Sequence, residues 1–256
     1  MHALVTGASG GLGQAFCQYL AARGHDLVLT SRRTDDLERI AAELHASHGI
    51  DAQVIGCDLS EESARDGLAA ELGRRGIEVD VLVNNAGFGT MGELATADVT
   101  RLNDEISLNC GAVAHLSRLL LPAMLERNAG SIINVASTAA FQPIPTMAVY
   151  AATKAFVLSF TQALWQETRS TGVRVTAICP GPTDTAFFDV AGDDGVMSNR
   201  RTPGQVVDST FKALDRRLPS VTDGLFNAVQ AQVARFAPAM VSAPLARRVA
   251  SPRKKA

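Results

Sequence analysis

The feature that most constrains the fold is a regular alternation of short apolar runs and longer amphipathic segments. The runs are rich in Val, Ile and Leu and occupy residues 2–6, 26–31, 52–57, 80–84, 131–136 and 174–179. Helix-length segments lie between them. This alternation predicts right-handed βαβ units on a parallel sheet, and continuously apolar strands predict helices on both of its faces. We therefore predict an α/β fold, doubly wound, with six or seven parallel strands in a single domain over residues 1–256.

The helical segments carry their own start and stop signals. Leu37, Ile40, Ala41 and Leu44 share one face of a segment that begins near Thr34, and Gly49 is a suitable end for it. After about Pro182 the alternation fades. Residues 182–202 mix Phe, Asp and Gly, which predicts a mobile substrate loop with a short helix. Thr202 and Pro203 then open a helix over 203–216. Residues 224–250 predict a C-terminal extension of two helices that meet at Pro238.

Composition excludes several function classes. The chain has 256 residues and a formal net charge of −2, so we expect no bulk attraction to nucleic acid. No run of 18 apolar residues occurs, so we expect no membrane-spanning helix, and the first residues predict no signal peptide. Four cysteines, Cys17, Cys57, Cys110 and Cys179, form no CxxC pair and lie in apolar runs. We expect buried free thiols, no metal site and a cytoplasmic location.

A glycine loop follows the first strand directly. In VTGASGGLG, residues 5–13, Gly7, Gly11 and Gly13 have the spacing GxxxGxG, which differs from the common GxGxxG fingerprint. Glycines here would let the backbone turn tightly and approach a pyrophosphate at the N-terminus of the first helix. Its place between a strand and a helix predicts a Rossmann-type dinucleotide site.

The end of the second strand bears on which dinucleotide binds. An acidic residue there would bind the ribose 2′-hydroxyl of NAD, but this chain has Thr30, Ser31, Arg32 and Arg33. A guanidinium can pair with a 2′-phosphate, so Arg32 favours NADP(H) over NAD(H). The alternative is that both arginines are ordinary exposed loop cations.

The ordered set of motifs resembles that of the classical short-chain dehydrogenase/reductase family. The motifs are TGASGGLG (6–13), CDL (57–59), NNAG (84–87), Asn109 in LNCG, INVAS (133–137), YAATK (150–154) and PGPTDT (180–185). Each is unspecific alone, but together they cover about seven-tenths of the chain in the family's order. The segment around YAATK is similar to a bacterial subgroup of broad carbonyl reductases.

The resemblance implies a set of cofactor contacts. Gly7, Ser9, Gly11, Leu12 and Gly13 would hold the pyrophosphate. Asp58 and Leu59 would flank the adenine, and Asn85, Ala86 and Gly87 would lie along the adenosine ribose. Pro180, Gly181, Thr183 and Thr185 would place the nicotinamide carboxamide. Thr183 stands where the family usually has an aliphatic residue.

The resemblance also implies the chemistry. Tyr150 would be the acid that protonates a carbonyl oxygen, Ser137 would hold that oxygen, and Asn109 would hold a water that links Lys154 to solvent. Tyr150 and Lys154 would also contact the cofactor. A free phenol has a pKa of about 10. Because an adjacent cation stabilises phenolate, we expect Lys154 to lower the pKa of Tyr150.

The substrate is less constrained by the sequence. Candidate pocket residues are Phe88, Phe141, Met147, Phe187 and Phe188, and they predict an apolar ketone, aldehyde or secondary alcohol. The alternative is that they are ordinary core residues. The C-terminal helices would cover the pocket or pack on a partner subunit of a homodimer or homotetramer. Their apolar stripe and cationic tail also leave membrane contact open as a lesser expectation.

Two rival functions stand beside a reductase. The chain could be a catalytically silent NADP-binding sensor or scaffold, although such a protein has no need of Ser137, Tyr150 and Lys154 together. It could also be an epimerase or dehydratase of the extended type. Those proteins resemble it at YxxxK but carry a larger C-terminal domain than this chain provides after Thr185.

Overall fold

The computed structural model describes residues 1–185, 187 and 200–250. The strands form one parallel sheet in the order β3-β2-β1-β4-β5-β6-β7. They are β1 (His2–Thr6), β2 (Asp26–Thr30), β3 (Ala52–Val54), β4 (Val79–Asn84), β5 (Gly130–Val135), β6 (Val173–Cys179) and β7 (Ser220–Thr222). The predicted parallel, doubly wound sheet is confirmed.

Helices connect the strands on both faces. They are α1 (Gly11–Ala21), α2 (Thr34–His48), α3 (Glu62–Arg74), α4 (Val99–Ile106), α5 (Val113–Glu126), α6 (Ala148–Thr168), α7 (Pro203–Asp215), α8 (Leu225–Phe236) and α9 (Ala239–Ala250). A π-helical turn, Ser107–Ala112, joins α4 to α5, and short 3-10 turns occupy Leu94–Thr96 and Thr138–Phe141. The local signals are as predicted at two places: Gly49 ends α2 with a φ of 70°, and the Thr202 hydroxyl caps α7 by accepting a hydrogen bond from the Gln205 N–H.

The apolar strands separate two hydrophobic clusters. Along β1, Ala3 and Val5 belong to the cluster beneath α1, α2 and α7, whereas Leu4 belongs to the cluster beneath α3 and α5. Because both faces are covered, the consecutive residues 3–6 of β1 are all buried and its sequence has no polar alternation. The order of the sheet reverses between β1 and β4, so a crevice forms beyond their carboxyl ends, at Gly7 and Asn85.

Three predictions differ from the structure. β3 ends at Val54 rather than near Cys57, and β7 was not predicted as a strand. Cys57 and Cys110 are half-buried rather than buried, although all four thiols are free. The predicted substrate loop, 182–202, falls largely outside the described residues.

One helical stretch bears on the expectation about membranes. Residues 99–126, which include α4, the π-helical turn and α5, are by length and composition apolar enough to cross a bilayer. Core helices of soluble proteins have the same character. Here Leu116 and Met124 of α5 are buried against the sheet, whereas Val99, Leu119 and Leu125 are more than a third exposed.

Candidate active site

The glycine loop forms a cradle that side chains would fill. Gly7 has a φ of 64°, a conformation that suits glycine, and a Cβ there would lie 2.9 Å from Ala86 Cα. A Cβ on Gly13 would overlap the Gly7 carbonyl oxygen and lie 2.9 Å from Ala8 Cα. The N-terminus of α1 has no side-chain cap. The backbone is therefore open to a ligand where a helix dipole favours an anion, and the residues present fit a dinucleotide pyrophosphate.

The loop after β4 is tied to this cradle. The Thr6 hydroxyl accepts hydrogen bonds of 2.9 Å from the backbone N–H groups of Asn85 and Ala86. The Asn85 side chain donates in return to the Thr6 carbonyl at 2.8 Å. The two loops that would line the cofactor therefore form one hydrogen-bonded unit at the switch point of the sheet.

The adenosine end of the cleft contains both predicted polar residues. Arg32 Nη1 lies 3.9 Å from Asp58 Oδ2, and the Arg32 side chain is 72% exposed, so its guanidinium is accessible to a ligand. Burial acts to raise the pKa of Asp58, but hydrogen bonds from Ser60 hold it below its usual range. Leu59 packs in the core, so its side chain does not face the cleft. Arg33, not among the predicted contacts, donates from Nη2 to Ser9 Oγ at 3.3 Å.

Ser137, Tyr150 and Lys154 converge at the carboxyl end of β5. Ser137 directly follows Ala136 after β5, and its hydroxyl forms a hydrogen bond with Tyr150. Tyr150 and Lys154 lie in the first two turns of α6, and both are almost fully buried. Lys154 Nζ donates to the Val135 carbonyl at 2.8 Å and lies 5.7 Å from the centre of the Tyr150 ring. The three groups that the sequence separates by up to 17 positions therefore share one corner of the cleft.

The prediction that the pKa of Tyr150 is lowered was wrong. Burial raises the pKa of Tyr150 to about 12; the Ser137 hydrogen bond acts to lower it, and the Glu105 carboxylate acts to raise it. Burial also lowers the pKa of Lys154 to about 8. Desolvation is therefore the largest effect at both groups, and it favours the neutral phenol and the neutral amine.

Asn109 is held in the π-helical turn. It is fully buried, and its amide nitrogen donates to the Phe88 carbonyl at 2.9 Å and to Thr153 Oγ1 at 3.0 Å. Its oxygen accepts from the Phe88 N–H at 3.2 Å. A Cβ on Gly87 would lie 2.8 Å from Asn109 Oδ1 and 3.4 Å from Lys154 Nζ. The backbone at Gly87 thus runs between these two groups, where only glycine fits.

A family model described as short chain dehydrogenase matches residues 1–194. The chain belongs to the short-chain dehydrogenase family. It is 36% identical over 182 residues to the very-long-chain 3-oxoacyl-CoA reductase of Bos taurus, a match that covers 70% of this chain but only 58% of that protein. An uncharacterized oxidoreductase of Staphylococcus epidermidis is 36% identical over 212 residues, with coverage of 83% and 90%.

Solved structures of the short-chain dehydrogenase family superpose closely. A short-chain dehydrogenase from Sphingobium yanoikuyae in complex with NADPH has a TM-score of 0.84 and 31% identity, and the match covers 91% of each chain. A family member from Burkholderia phymatum in complex with NAD has a TM-score of 0.81 and 28% identity, with coverage of 90% and 91%. Both nicotinamide cofactors thus occur among proteins of this fold.

The loop after β6 carries the residues predicted to contact nicotinamide. Thr183 Oγ1 donates to the Gly181 carbonyl at 3.0 Å, and a Cβ on Gly11 would lie 3.1 Å from Thr185 Cγ2, so this loop meets the glycine loop. An ion pair that sequence reasoning missed anchors it. Arg201 Nε and Nη2 donate to the buried Asp223 carboxylate at 2.8 and 3.1 Å, while the Arg201 backbone bonds with residues 182 and 184.

Only part of the predicted apolar pocket assembles beside Tyr150. Met147 packs against Tyr150, and the Phe187 ring centre lies 5.3 Å from that of Tyr150. Phe88 instead lines a cavity of about 250 Å³ that Arg32 and Asp58 also line. Phe141 packs on the core cluster of Val157. Phe188 lies outside the described residues. Sequence reasoning missed two apolar residues, Met91 and Ile144, that pack against the cluster of Ala139, Met147 and Tyr150.

A buried carboxylate beside the catalytic corner was also missed. Glu105 of α4 is fully buried, and it faces Thr90, although neither carboxylate oxygen makes a hydrogen bond of normal geometry. Burial raises the pKa of Glu105, while Arg101 and Lys154 act to lower it. It lies one turn before Asn109. A lone Glu in an amphipathic helix gives no sequence signal of burial.

Proposed function

We propose that this protein is an NADPH-dependent reductase that transfers a hydride to the carbonyl carbon of an apolar ketone or aldehyde. The observation that carries the proposal is the convergence of Ser137, Tyr150 and Lys154 at the end of β5, beside a glycine cradle open to a dinucleotide. The cofactor supplies the hydride, and the protein supplies geometry and a proton.

Three side chains of the protein would take part in the reaction: the hydroxyls of Ser137 and Tyr150 and the ammonium of Lys154. Ser137 would donate to the substrate oxygen, and Tyr150 would transfer its phenolic proton to that oxygen as negative charge develops. Lys154 would stabilise the resulting phenolate. A Tyr150 pKa of about 12 keeps the phenol protonated at neutral pH, so the site is poised as an acid. This supports reduction as the favoured direction.

Proton resupply would use Lys154 and Asn109. The two groups flank Gly87, and Asn109 Oδ1, which accepts one hydrogen bond from the Phe88 N–H, keeps a second lone pair that could accept from a water. A Lys154 pKa of about 8 lets the ammonium give up a proton near neutral pH more readily than an ordinary lysine. Tyr150 could therefore be reprotonated after each turnover.

The preference for NADPH rests on the end of β2. Arg32 is exposed there, Arg33 reaches the glycine loop, and the carboxylates of α2 begin only at Asp35. A 2′-phosphate at this strand end would meet two exposed guanidiniums, which now lie 3.9 Å from the Asp58 carboxylate and 3.1 Å from that of Asp36. The relative bound to NADPH agrees with this preference, although another is bound to NAD.

The apolar character of the substrate rests on the surroundings of Tyr150. The hydrophobic cluster that contains Tyr150 also includes Met147, and Met91, Ile144 and Phe187 pack against it. The name of the bovine relative indicates an acyl chain attached to the ketone in that protein. A hydrophobic ketone is thus the substrate class that the site would accept, and a charged substrate would find no described cation beside Tyr150 other than Lys154.

A substrate panel tests the proposal. Purified protein would be assayed for NADPH and NADH oxidation with aromatic, steroidal and long-chain ketones and with small polar ketones as the contrast. We expect turnover with apolar ketones and NADPH. Bound NADPH without turnover on any carbonyl would favour the silent sensor instead.

A matched pair of variants tests the cofactor preference. Arg32→Ala should raise the Kd for NADPH about 10- to 100-fold and leave that for NADH unchanged, since a charge-assisted hydrogen bond contributes about 1.5–3 kcal/mol. Arg39→Ala, which removes an exposed cation that pairs with Glu43 on the same helix, is the control. If Arg32→Ala raises the Kd for NADPH and the Kd for NADH by the same factor, the argument for NADPH fails.

A further inference from the structure

The two C-terminal helices expose an apolar face. In α8, Leu225, Phe226, Val229, Val233 and Phe236 recur at helical spacing, and Met240 follows at the start of α9. These six side chains, which we call the C-terminal face, are 56% to 90% exposed. The opposite side of α8 is buried through Ala231. Exposed apolar surface of this extent marks an interaction site rather than a solvated helix.

The charge of this segment is the opposite of the rest of the chain. Residues 224–256 contain six Lys and Arg and no Asp or Glu. The preceding 223 residues contain the other 18 Lys and Arg and all 26 Asp and Glu. A weakly acidic protein therefore has its apolar helices in a segment that carries only positive charge.

We propose that the C-terminal face docks on an anionic lipid bilayer, with α8 lying in the plane of the interface. An amphipathic helix of this kind inserts its apolar side into the boundary between headgroups and acyl chains, and cations of the same sequence segment are attracted to anionic headgroups. The proposal concerns surface binding, and no helix of the segment crosses the bilayer.

The charge pattern favours lipid over a second copy of this chain. A two-fold symmetric contact would bring two copies of this segment together, and each copy carries only positive charge in its sequence. The segment offers no carboxylate to pair with these cations. An anionic membrane supplies both the apolar phase and the opposite charge.

The face lies next to the candidate active site. The Asn227 side chain of α8 donates to the Asp223 carbonyl at 2.8 Å, and its Oδ1 would lie 2.7 Å from a Cβ on Gly181. The helix also packs on the 3-10 turn that follows Ser137. Membrane docking would bring the cleft close to a reservoir of apolar substrate. This consequence rests on the proposed function, whereas the docking itself does not.

Vesicle sedimentation tests the docking without reference to catalysis. The full chain would be mixed with vesicles of phosphatidylcholine alone and of phosphatidylcholine with 30% phosphatidylglycerol. We expect binding to the anionic vesicles, at least tenfold weaker binding to the neutral ones, and release of the protein in high salt. Equal binding to both compositions, or to neither, would overturn the proposal.

Paired variants show whether the face is responsible. The double variant Phe226→Ser/Phe236→Ser should lower the partition coefficient on anionic vesicles at least tenfold. The control Leu94→Ser/Val99→Ser removes two side chains of 63% and 69% exposure elsewhere and should leave it unchanged. Urea unfolding would establish that both variants fold. If the phenylalanine variant binds vesicles normally but changes a dimer to a monomer in sedimentation velocity, a second copy covers the face and the proposal fails.

Discussion

The glycine cradle predicts a sharp difference between two alanine substitutions three residues apart. In Gly13→Ala, the new Cβ would overlap the Gly7 carbonyl oxygen and would lie 2.9 Å from both Ala8 Cα and Asn85 Nδ2. Carbon atoms in normal contact are about 3.5–4.0 Å apart, so α1 must move away from the loop by roughly 0.5–1 Å. In Gly10→Ala, the nearest such atom is 3.5 Å away and φ is −85°, so the side chain fits.

The expected magnitudes follow from this geometry. Overpacking of this kind costs about 1–3 kcal/mol, so Gly13→Ala should lower the free energy of unfolding by about 2 kcal/mol. A displaced α1 N-terminus also no longer meets the phosphate, and we expect the Kd for NADPH to rise at least about tenfold. Gly10→Ala should cost under about 1 kcal/mol, the usual effect of a poorer N-cap, and bind NADPH within about threefold of wild type.

Two measurements decide the comparison. Urea unfolding followed by Trp165 fluorescence gives the free energies, and quenching or enhancement of NADPH fluorescence gives the dissociation constants. If the two variants raise the Kd for NADPH equally, the close approach of Gly13 to Gly7 does not shape the cofactor site. If Gly13→Ala is as stable as wild type, the packing argument itself is refuted.

Three further predictions concern groups around the site. Because the pKa of Lys154 is lowered to about 8, kcat/KM for ketone reduction should fall as pH rises above about 8, and a flat profile to pH 10 would contradict this. The Glu105 carboxylate acts to raise the pKa of Lys154, so Glu105→Gln should shift that alkaline limb to lower pH in the same assay; an unmoved limb would exclude the coupling. Asp223→Asn breaks a partly buried ion pair with Arg201 and should lower the free energy of unfolding by about 2 kcal/mol, measured by urea unfolding against Asp215→Asn, which removes an exposed pair with Arg174.

Much of the fold could be predicted because most strands coincide with a short apolar run in the sequence. β1, β2, β4, β5 and β6 lie within one residue of their predicted bounds, since each is a continuous apolar run covered on both faces. β7 was missed because three residues beside Pro219 carry too little periodicity. β3 was predicted too long because the Ile55 N–H bonds to Leu29 of β2 and the Cys57 N–H to Ser31 just after β2, without extending the strand. The apolar pattern of the sequence thus predicts the five central strands. The two short edge strands, β3 and β7, depend on pairing with a neighbouring strand, which the pattern does not show.

In the candidate site too, features carried by local motifs could be predicted, and features that depend on tertiary packing could not. Residues in ordered motifs, such as Ser137, Tyr150 and Lys154, could be named from the sequence, and the structure brings them together. Their pKa values could not be predicted from the sequence, because the pKa of Tyr150 depends on burial by Met147 and Phe187 and on the charge of Glu105. The Arg201–Asp223 pair was equally hidden, since it joins positions 22 residues apart that share no motif.

The central claim is that Tyr150 supplies the proton for hydride transfer, and one variant tests it most directly. Tyr150→Phe removes only the hydroxyl of a buried ring that packs against Met147 and Phe187, so the fold and the glycine cradle should remain intact. The measurement is kcat/KM for reduction of the best apolar ketone, made alongside the Kd for NADPH. We predict a loss of at least about 100-fold in kcat/KM, as expected for removal of a general acid, with the Kd for NADPH within about threefold of wild type. Turnover within tenfold of wild type in this variant would contradict the account.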